Sequence, residues 1–201
     1  MSLFDSAVLP SSPPPASLPV PEGWLFEVAW EVCRQLGGIY TVIRSKVPGM
    51  IEQWGDRYCL IGPYDPQTAA VEFDKAEPPA CLQPALEAVR ALGLPVHFGR
   101  WLVTGRPQVI LLDTRAALPR VGEFKYFFWE HHGISLPDHD QELNEVAAFG
   151  WLVCEFFRGL TRVRPPPASP VTAHFHEWMG SAAVPELRRE RLPVGLVFTT
   201  H

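Results

Sequence analysis

Short apolar runs alternate along the chain with segments whose apolar residues recur at helical spacing. The runs have the length and composition of strands buried on both faces, and they cover residues 24–30, 58–61, 96–101, 109–112, 171–175 and 196–199. Helices are predicted at about 39–47, 84–92, 141–160 and 179–189, with Pro48 and Gly49 ending the first of them. This alternation predicts an α/β fold with a doubly wound, mainly parallel sheet, in which ligands bind outside the carboxyl ends of the strands.

Proline and serine mark two segments as different from the rest. Residues 1–21 are predicted to be a disordered Pro/Ser-rich tail, because such a composition favours extended, solvated chain. Residues 22–201 are predicted to form one domain, since a typical domain has about 100–150 residues. Within it, Pro165, Pro166 and Pro167 are expected to form a stiff connector into the fifth strand.

Composition and charge narrow the classes of function. A hydrophobic share of 47% with 19% charged residues is typical of a folded protein. A net charge of -5 argues against a nucleic-acid partner, because phosphate binding needs a basic face. The sequence shows neither a signal peptide nor about 18 consecutive apolar residues, so we expect a cytoplasmic protein with no membrane partner. The four cysteines lie far apart and are expected to be buried free thiols.

Gly37 and Gly38 lie where the first predicted strand turns into the first helix. Glycines allow close approach of the backbone to a ligand, and a helix amino terminus offers free N–H groups and a positive dipole end to an anion such as a diphosphate. A glycine pair at such a turn also serves as a simple tight connection. Spacing alone leaves both interpretations open.

Polar residues follow two of the later strands. His174 and His176 share a face of one strand, but a zinc site normally needs a third protein ligand, and none has telling spacing. The alternatives are a hydrogen-bonded core histidine at position 174 and a cleft-facing polar pair at His176 and Glu177. His201 ends a similar cluster after the last strand. Three strand ends would therefore meet at one crevice, which favours a sugar nucleotide or another phosphate-bearing ligand.

Several multi-residue stretches, in order and at compatible spacing, resemble the glycogen synthases of the animal, fungal and bacterial type, which extend α-1,4-glucan. They cover residues 31–46, 54–64, 98–102, 144–150, 174–178 and 198–201. The resemblance implies a glucosyltransferase with the GT-B fold, whose two Rossmann-like domains enclose the nucleotide-sugar donor and the glucan acceptor. It further implies transfer with retention from UDP-glucose, or alternatively ADP-glucose, with no metal and no cofactor.

The resemblance also assigns roles to residues. It implies that His201 is the catalytic histidine near the transferred glucose, and that His176 and Glu177 lie beside the sugar or the acceptor. Gly37 and Gly38 would line the donor's diphosphate. Gln35 stands in the same loop, where the family usually has lysine or arginine, and Arg34 is displaced by one position.

The matching stretches correspond to the amino-terminal half of such an enzyme. The carboxyl-terminal donor domain, with its basic pair and paired glutamates, is absent from the 201 residues. We therefore expect an incomplete fragment that is inactive alone. The alternative is a non-catalytic glucan-binding or regulatory module derived from such an enzyme. The sequence leaves the oligomeric state open, including a homo-oligomer of a full-length enzyme.

Overall fold

A seven-stranded sheet forms the centre of the protein, which is described here from a computed structural model over residues 22–162 and 169–201. The predicted tail at 1–21 and the connector at Pro165, Pro166 and Pro167 lie outside the described residues. In chain order the strands are β1 Trp24–Val28, β2 Tyr58–Pro63, β3 Phe73–Lys75, β4 Val96–Trp101, β5 Gln108–Leu112, β6 Val171–His176 and β7 Gly195–Thr199.

The strands lie in the order β3-β4-β5-β2-β1-β6-β7. All neighbours from β5 to β7 are parallel, whereas β3 and β4 form an antiparallel edge. The α/β, mainly parallel class predicted from the alternation is confirmed. The antiparallel direction of β4 was not predicted. It arises because β4 and β5 are joined by a short hairpin rather than by a helical crossover.

The helices are α1 Gly38–Trp54, α2 Pro66–Glu72, α3 Gln83–Arg90, α4 Thr114–Ala117, α5 Val121–His132, α6 Gln141–Arg162, α7 Glu177–Gly180 and α8 Val184–Arg189. Three-residue 3-10 turns follow α1 and α4. Within the described residues, no helix combines the length and the apolarity that crossing a bilayer would need.

The predicted end of α1 is wrong, because the helix continues through Pro48 and Gly49. Tyr40, Ile43 and Val47 are buried on one face of the helix, and Ile51 continues that face beyond the proline. Burial of this apolar stripe against the sheet therefore outweighs the hydrogen bond that a proline removes inside a helix.

Helices cover both faces of the sheet, as a doubly wound fold requires. On one face, α1 packs on a cluster formed by Leu25, Leu60 and Leu111 with their neighbours. On the other face, α3, α5 and α6 cover a larger cluster that includes Phe26 and Phe175. Adjacent residues of one strand thus enter different clusters, as the pleat dictates.

Other departures from the predicted elements lie at short or exposed segments. Helices α2, α4 and α5 were not predicted, and the helix predicted at 179–189 is two short helices separated by residues 181–183. Strand β7 is not buried on both faces, since Val197 and Phe198 are 46% and 53% exposed. Among the cysteines, Cys33, Cys59 and Cys154 are buried as expected, whereas Cys81 is exposed.

The order of the strands reverses at β1, because the chain first proceeds from β1 towards β2 and later returns to β6 on its other side. Ligands of open α/β sheets bind outside the carboxyl ends of the strands at such a reversal. The segment after β1, the segment after β6 and the end of β7 meet at this edge. They contain the predicted site residues.

Candidate functional site

The segment between β1 and α1 packs tightly over the end of β2. Residues 29–33 are buried, and a Cβ added at Gly62 would lie 2.6 Å from Cβ of Val32 and 3.3 Å from the carbonyl oxygen of Ala29. Only glycine at position 62 permits this approach. The packing fixes the loop that leads into Gly37 and Gly38.

The carboxylate of Glu31 closes the amino end of α1. Its Oε2 accepts hydrogen bonds from the N–H of Gly37 at 2.7 Å and of Tyr40 at 3.1 Å. A helix leaves its first N–H groups without internal partners, and Glu31 engages two of the donors at this terminus. The N–H groups of Gly38 and Ile39 are the donors of the first turn that Glu31 does not take.

The two glycines differ in their surroundings. A Cβ at Gly37 would lie 3.2 Å from Oε1 of Glu31, whereas a Cβ at Gly38 would meet no atom within 4 Å among the described residues. Gln35 is exposed beside them. The guanidinium of Arg34 lies over the ring of Trp30, 5.4 Å from its centroid. The displaced arginine is therefore engaged with a neighbouring aromatic ring.

Three histidines stack at the carboxyl ends of β6 and β7. The ring centroids of His174 and His176 lie 4.2 Å apart, and those of His176 and His201 lie 5.3 Å apart with nearly parallel planes. Nδ1 of His176 and Nε2 of His201 are 3.0 Å apart. His176 is buried beneath the exposed His201 rather than facing the cleft itself.

Glu177 joins this cluster from the turn after β6. It has a φ of 55°, which is uncommon for a residue with a side chain, and its carboxylate accepts a hydrogen bond from the main-chain N–H of His201. The structure thus brings His176, Glu177 and His201 together. The described residues show no direct contact between them and Gln35, Gly37 or Gly38, although all six lie at the same edge of the sheet.

A buried carboxylate, Glu27 of β1, lies under the histidines. Its Oε1 contacts the ammonium group of Lys46 and lies 3.2 Å from Nδ1 of His174 and 3.5 Å from Nε2 of His176. Its Oε2 accepts a hydrogen bond from the hydroxyl of Tyr58. Burial alone would raise the pKa of Glu27, but the contacts with His174, His176 and Lys46 outweigh it and hold that pKa well below its usual value.

The same carboxylate supplies the third side chain that a metal site would need. Ligand atoms of Glu27, His174 and His176 lie within 4.8 Å of one another. However, the Lys46 ammonium and the Tyr58 hydroxyl already contact the two oxygens of Glu27. A divalent cation would have to displace the lysine, so these residues fit a metal poorly.

Sequence reasoning assigned no role to Glu27, Glu31, Lys46 or Tyr58. Glu27 carried one signal, a charged residue inside an otherwise apolar strand, which is expensive unless the charge is paired. Its partners come from α1, β2 and β6 and have no local spacing to reveal them.

Comparison with known proteins identifies the family. The glycogen synthase family model matches residues 27–201. The chain is 42% identical over 178 residues to a glycogen [starch] synthase of Neurospora crassa, and 38% identical over 185 residues to the human liver glycogen [starch] synthase. These alignments cover 88% and 92% of the chain, but only 25% and 26% of the relatives, so the chain spans about a quarter of their length.

Among solved structures, the catalytic domain of starch synthase IV from Arabidopsis thaliana, bound to ADP and acarbose, matches with a TM-score of 0.50 and 13% identity. The match covers 90% of this chain and 34% of that chain, and at this identity it concerns the fold. The sheet described above is therefore the amino-terminal Rossmann-like half of a GT-B fold. From the family match and the two relatives together, the chain belongs to the glycogen synthase family.

Proposed function

We propose that this chain forms the amino-terminal part of a glycogen synthase active site, which transfers glucose with retention from a nucleotide sugar to the non-reducing end of an α-1,4-glucan. UDP-glucose is the favoured donor and ADP-glucose the alternative. The observation that carries the proposal is the contact of His201 with His176 and Glu177 at the carboxyl edge of the sheet, in a member of this family.

His201 is the group proposed to contact the transferred glucose. It is exposed at the edge of the sheet, while one ring nitrogen is engaged with His176 and its main-chain N–H with Glu177. A side chain held in this way keeps its orientation without the cost of ordering it when the substrate binds. His176 and Glu177 then act as its supports, and both are also proposed to lie beside the sugar or the acceptor.

Gly37 and Gly38 are proposed to line the donor's diphosphate, with Gln35 beside them. The N–H groups of Gly38 and Ile39 are suited to donate hydrogen bonds to phosphate oxygens, because the α1 terminus carries a positive dipole end and Glu31 has taken the other two donors. The absence of a side chain at Gly38 leaves open space over these groups.

The chain alone is proposed to be inactive. Negative charge grows on the diphosphate as the sugar leaves, and stabilising such charge is usually the largest catalytic contribution. Arg34, the cation of the glycine loop, lies over Trp30, and Lys46 is paired with Glu27. The remaining cations are proposed to come from a second domain, which would also close the cleft against water.

The test uses labelled glucose incorporated into glycogen, with UDP-glucose and ADP-glucose offered separately. This chain is compared with the same chain extended by the carboxyl-terminal part of the Neurospora crassa relative. We expect transfer only on extension, and its loss in the extended His201→Ala variant. The exposed His139 provides the control, because among the described residues it makes no hydrogen bond, ion pair or ring contact with His176, Glu177 or His201.

Transfer by the isolated chain would overturn the proposed dependence on a second domain. A folded, extended chain without transfer would instead support a non-catalytic glucan-binding or regulatory module. Full activity of the extended His201→Ala variant would reject the assigned histidine.

A further inference from the structure

The protonation of the histidine stack is determined by what lies beneath it. Glu27 is fully buried, with 0% of its surface exposed, and its Oε1 faces two histidine nitrogens. Because its pKa lies well below the usual value, this group is an ionised carboxylate, which can only accept hydrogen bonds. The nitrogens that face it are therefore most stable as N–H groups.

For His174 this gives a consistent assignment. Nδ1, which lies 3.2 Å from Glu27 Oε1, carries a hydrogen and donates it. Nε2 is then the acceptor, and the hydroxyl of Thr199 on β7 donates to it at 2.8 Å. Both ring nitrogens have a partner of the right kind.

For His176 the same argument fixes the opposite nitrogen. Burial lowers the pKa of His176 below its ordinary value, so at neutral pH its ring is neutral and carries one hydrogen. Nε2 is buried with no other hydrogen-bond partner among the described residues, and it lies 3.5 Å from Glu27 Oε1. An N–H at Nε2 is attracted by the carboxylate, whereas a lone pair there would face a negative charge inside the protein. Nδ1 is then the acceptor.

This assignment determines the outermost histidine. Nε2 of His201 lies 3.0 Å from Nδ1 of His176, and one of the two must donate. With Nδ1 of His176 as acceptor, Nε2 of His201 is the N–H. Nδ1 is then the ring nitrogen of His201 that the stack does not engage.

We propose that Glu27 is a positioning residue, which holds His176 as the Nε2–H tautomer and thereby fixes His201 with its Nε2–H turned into the stack and Nδ1 left for the substrate. The use of that nitrogen rests on the proposed function. The tautomers themselves do not, because they follow from contacts within this chain.

The test measures which ring nitrogen of each histidine carries hydrogen, by long-range 1H–15N correlation spectra of the chain with 15N-labelled histidine. Spectra are recorded with a chelator present, so that no adventitious metal sets the tautomers. We expect hydrogen on Nδ1 of His174, on Nε2 of His176 and on Nε2 of His201. A parent protein with hydrogen on Nδ1 of His176 would overturn the proposal without any variant.

The informative variant replaces Glu27 and Lys46 together, as Glu27→Leu with Lys46→Met, because removing one partner of a buried pair strands the other charge. We expect the Nε2–H tautomer of His176 to be no longer the major one in this variant. The population of the Nε2–H tautomer of His201 should fall with it. Retention of the parent tautomers at both histidines would show that Glu27 does not set them.

Two controls separate positioning from general disturbance. Tyr58→Phe removes another hydrogen bond to Glu27 but keeps the carboxylate, so we expect unchanged tautomers. His131 and His132 contact a different buried carboxylate, Glu186, and their signals should not change in the double variant. If the parent shows other tautomers than those expected, the tautomer proposal fails but the proposed transferase function is unaffected. If the extended chain is inactive, the proposed function fails but the tautomer assignment is unaffected.

Discussion

The carboxylate of Glu31 lies 2.7 Å from the main-chain nitrogen of Gly37, six residues further along the chain. Helices are commonly capped by the residue at the N-cap position itself, but the N-cap of α1 is Gly37, which has no side chain to offer. Glu31 reaches the terminus from the preceding loop instead. The Cβ position of Gly37 faces this carboxylate, whereas the Cβ position of Gly38 stays open among the described residues.

Removing this cap should destabilise the protein. We expect Glu31→Ala to lower the free energy of unfolding by about 1–2 kcal/mol, because the N–H groups of Gly37 and Tyr40 lose their acceptor. Urea unfolding measures the change. Glu52→Ala, at an exposed position of the same helix, is the control and should have little effect. Equal losses from the two substitutions would show that Glu31 is not a cap.

Gly38→Val should weaken nucleotide binding while leaving the fold stable. A Cβ at position 38 would meet no described atom within 4 Å, so we expect the free energy of unfolding to change by less than about 1 kcal/mol. In the extended chain, a branched side chain over the N–H groups should weaken binding of the nucleotide sugar at least about tenfold, or roughly 1.4 kcal/mol.

Gly122→Val is the matched control for this experiment. Gly122 also lies in the first turn of a helix, α5, and a Cβ there would likewise meet no described atom within 4 Å. Calorimetric titration with UDP-glucose and ADP-glucose compares the two variants. An unchanged affinity in Gly38→Val, or an equal loss in Gly122→Val, would reject the phosphate role of the glycine loop.

Two glycines inside helices should respond oppositely to the same substitution. Gly49 of α1 is exposed and has open space around it, so Gly49→Ala should stabilise the protein by about 0.5–1 kcal/mol. Gly150 of α6 packs against the segment before α8, where a Cβ would lie 2.7 Å from Cβ of Ala182. Gly150→Ala should therefore destabilise by about 1–3 kcal/mol. Thermal unfolding of both variants measures the two effects. A rise in the melting temperature of both variants would mean that the segment around Ala182 shifts at little cost to make room for the Cβ.

Glu186 should make stability depend on acidic pH. Burial would raise its pKa, but hydrogen bonds from Arg189, His131 and His132 outweigh this and lower the pKa to about 2 from its ordinary 4.5. A carboxylate with a depressed pKa contributes stability above its unfolded pKa, and that contribution is lost as the pH falls through the folded pKa. The stabilisation by Glu186 should thus be present at about pH 5 and largely gone near pH 2.

The measurement compares the parent with Glu186→Gln by chemical unfolding between about pH 5 and pH 2. The parent should be the more stable protein at about pH 5, and the difference between the unfolding free energies of the parent and of Glu186→Gln should become smaller as the pH falls. Arg158 and Glu190 belong to the same network, so the comparison is restricted to this one substitution. Glu52→Gln, at an exposed position, should show no such narrowing. A gap that stays constant with pH would contradict the depressed pKa.

The sequence was sufficient to predict six of the seven strands and the mainly parallel class of the sheet, but neither the edge strand β3 nor the antiparallel direction of β4. Apolar runs and helical spacing recur locally, and parallel pairing of β6 with β7 places His176 beside the end of the next strand without further information. Local patterns gave the wrong end for α1 at Pro48. They contain no information on the tertiary burial that stabilises the helix beyond the proline.

The contacts beneath the site could not be predicted in this way. Glu27 and His174 are 147 positions apart, and Glu27 meets Lys46 only because α1 returns across the face of the sheet. A glutamate within an apolar run suggests a buried charge, but nothing in the spacing names its partners. The support of the site depends on pairs that only the folded chain assembles.

The buried pair of Glu27 and Lys46 also limits the order in which mutations can accumulate. Losing the lysine first would leave a carboxylate with 0% exposure without its cation, at a cost of several kcal/mol. As regards charge alone, losing the glutamate first is milder, because Lys46 is 29% exposed and its flexible side chain can turn into water, although the Tyr58 hydroxyl then loses its acceptor. Where the site is no longer used, drift at these two positions should therefore run in one direction, with position 27 changing before position 46.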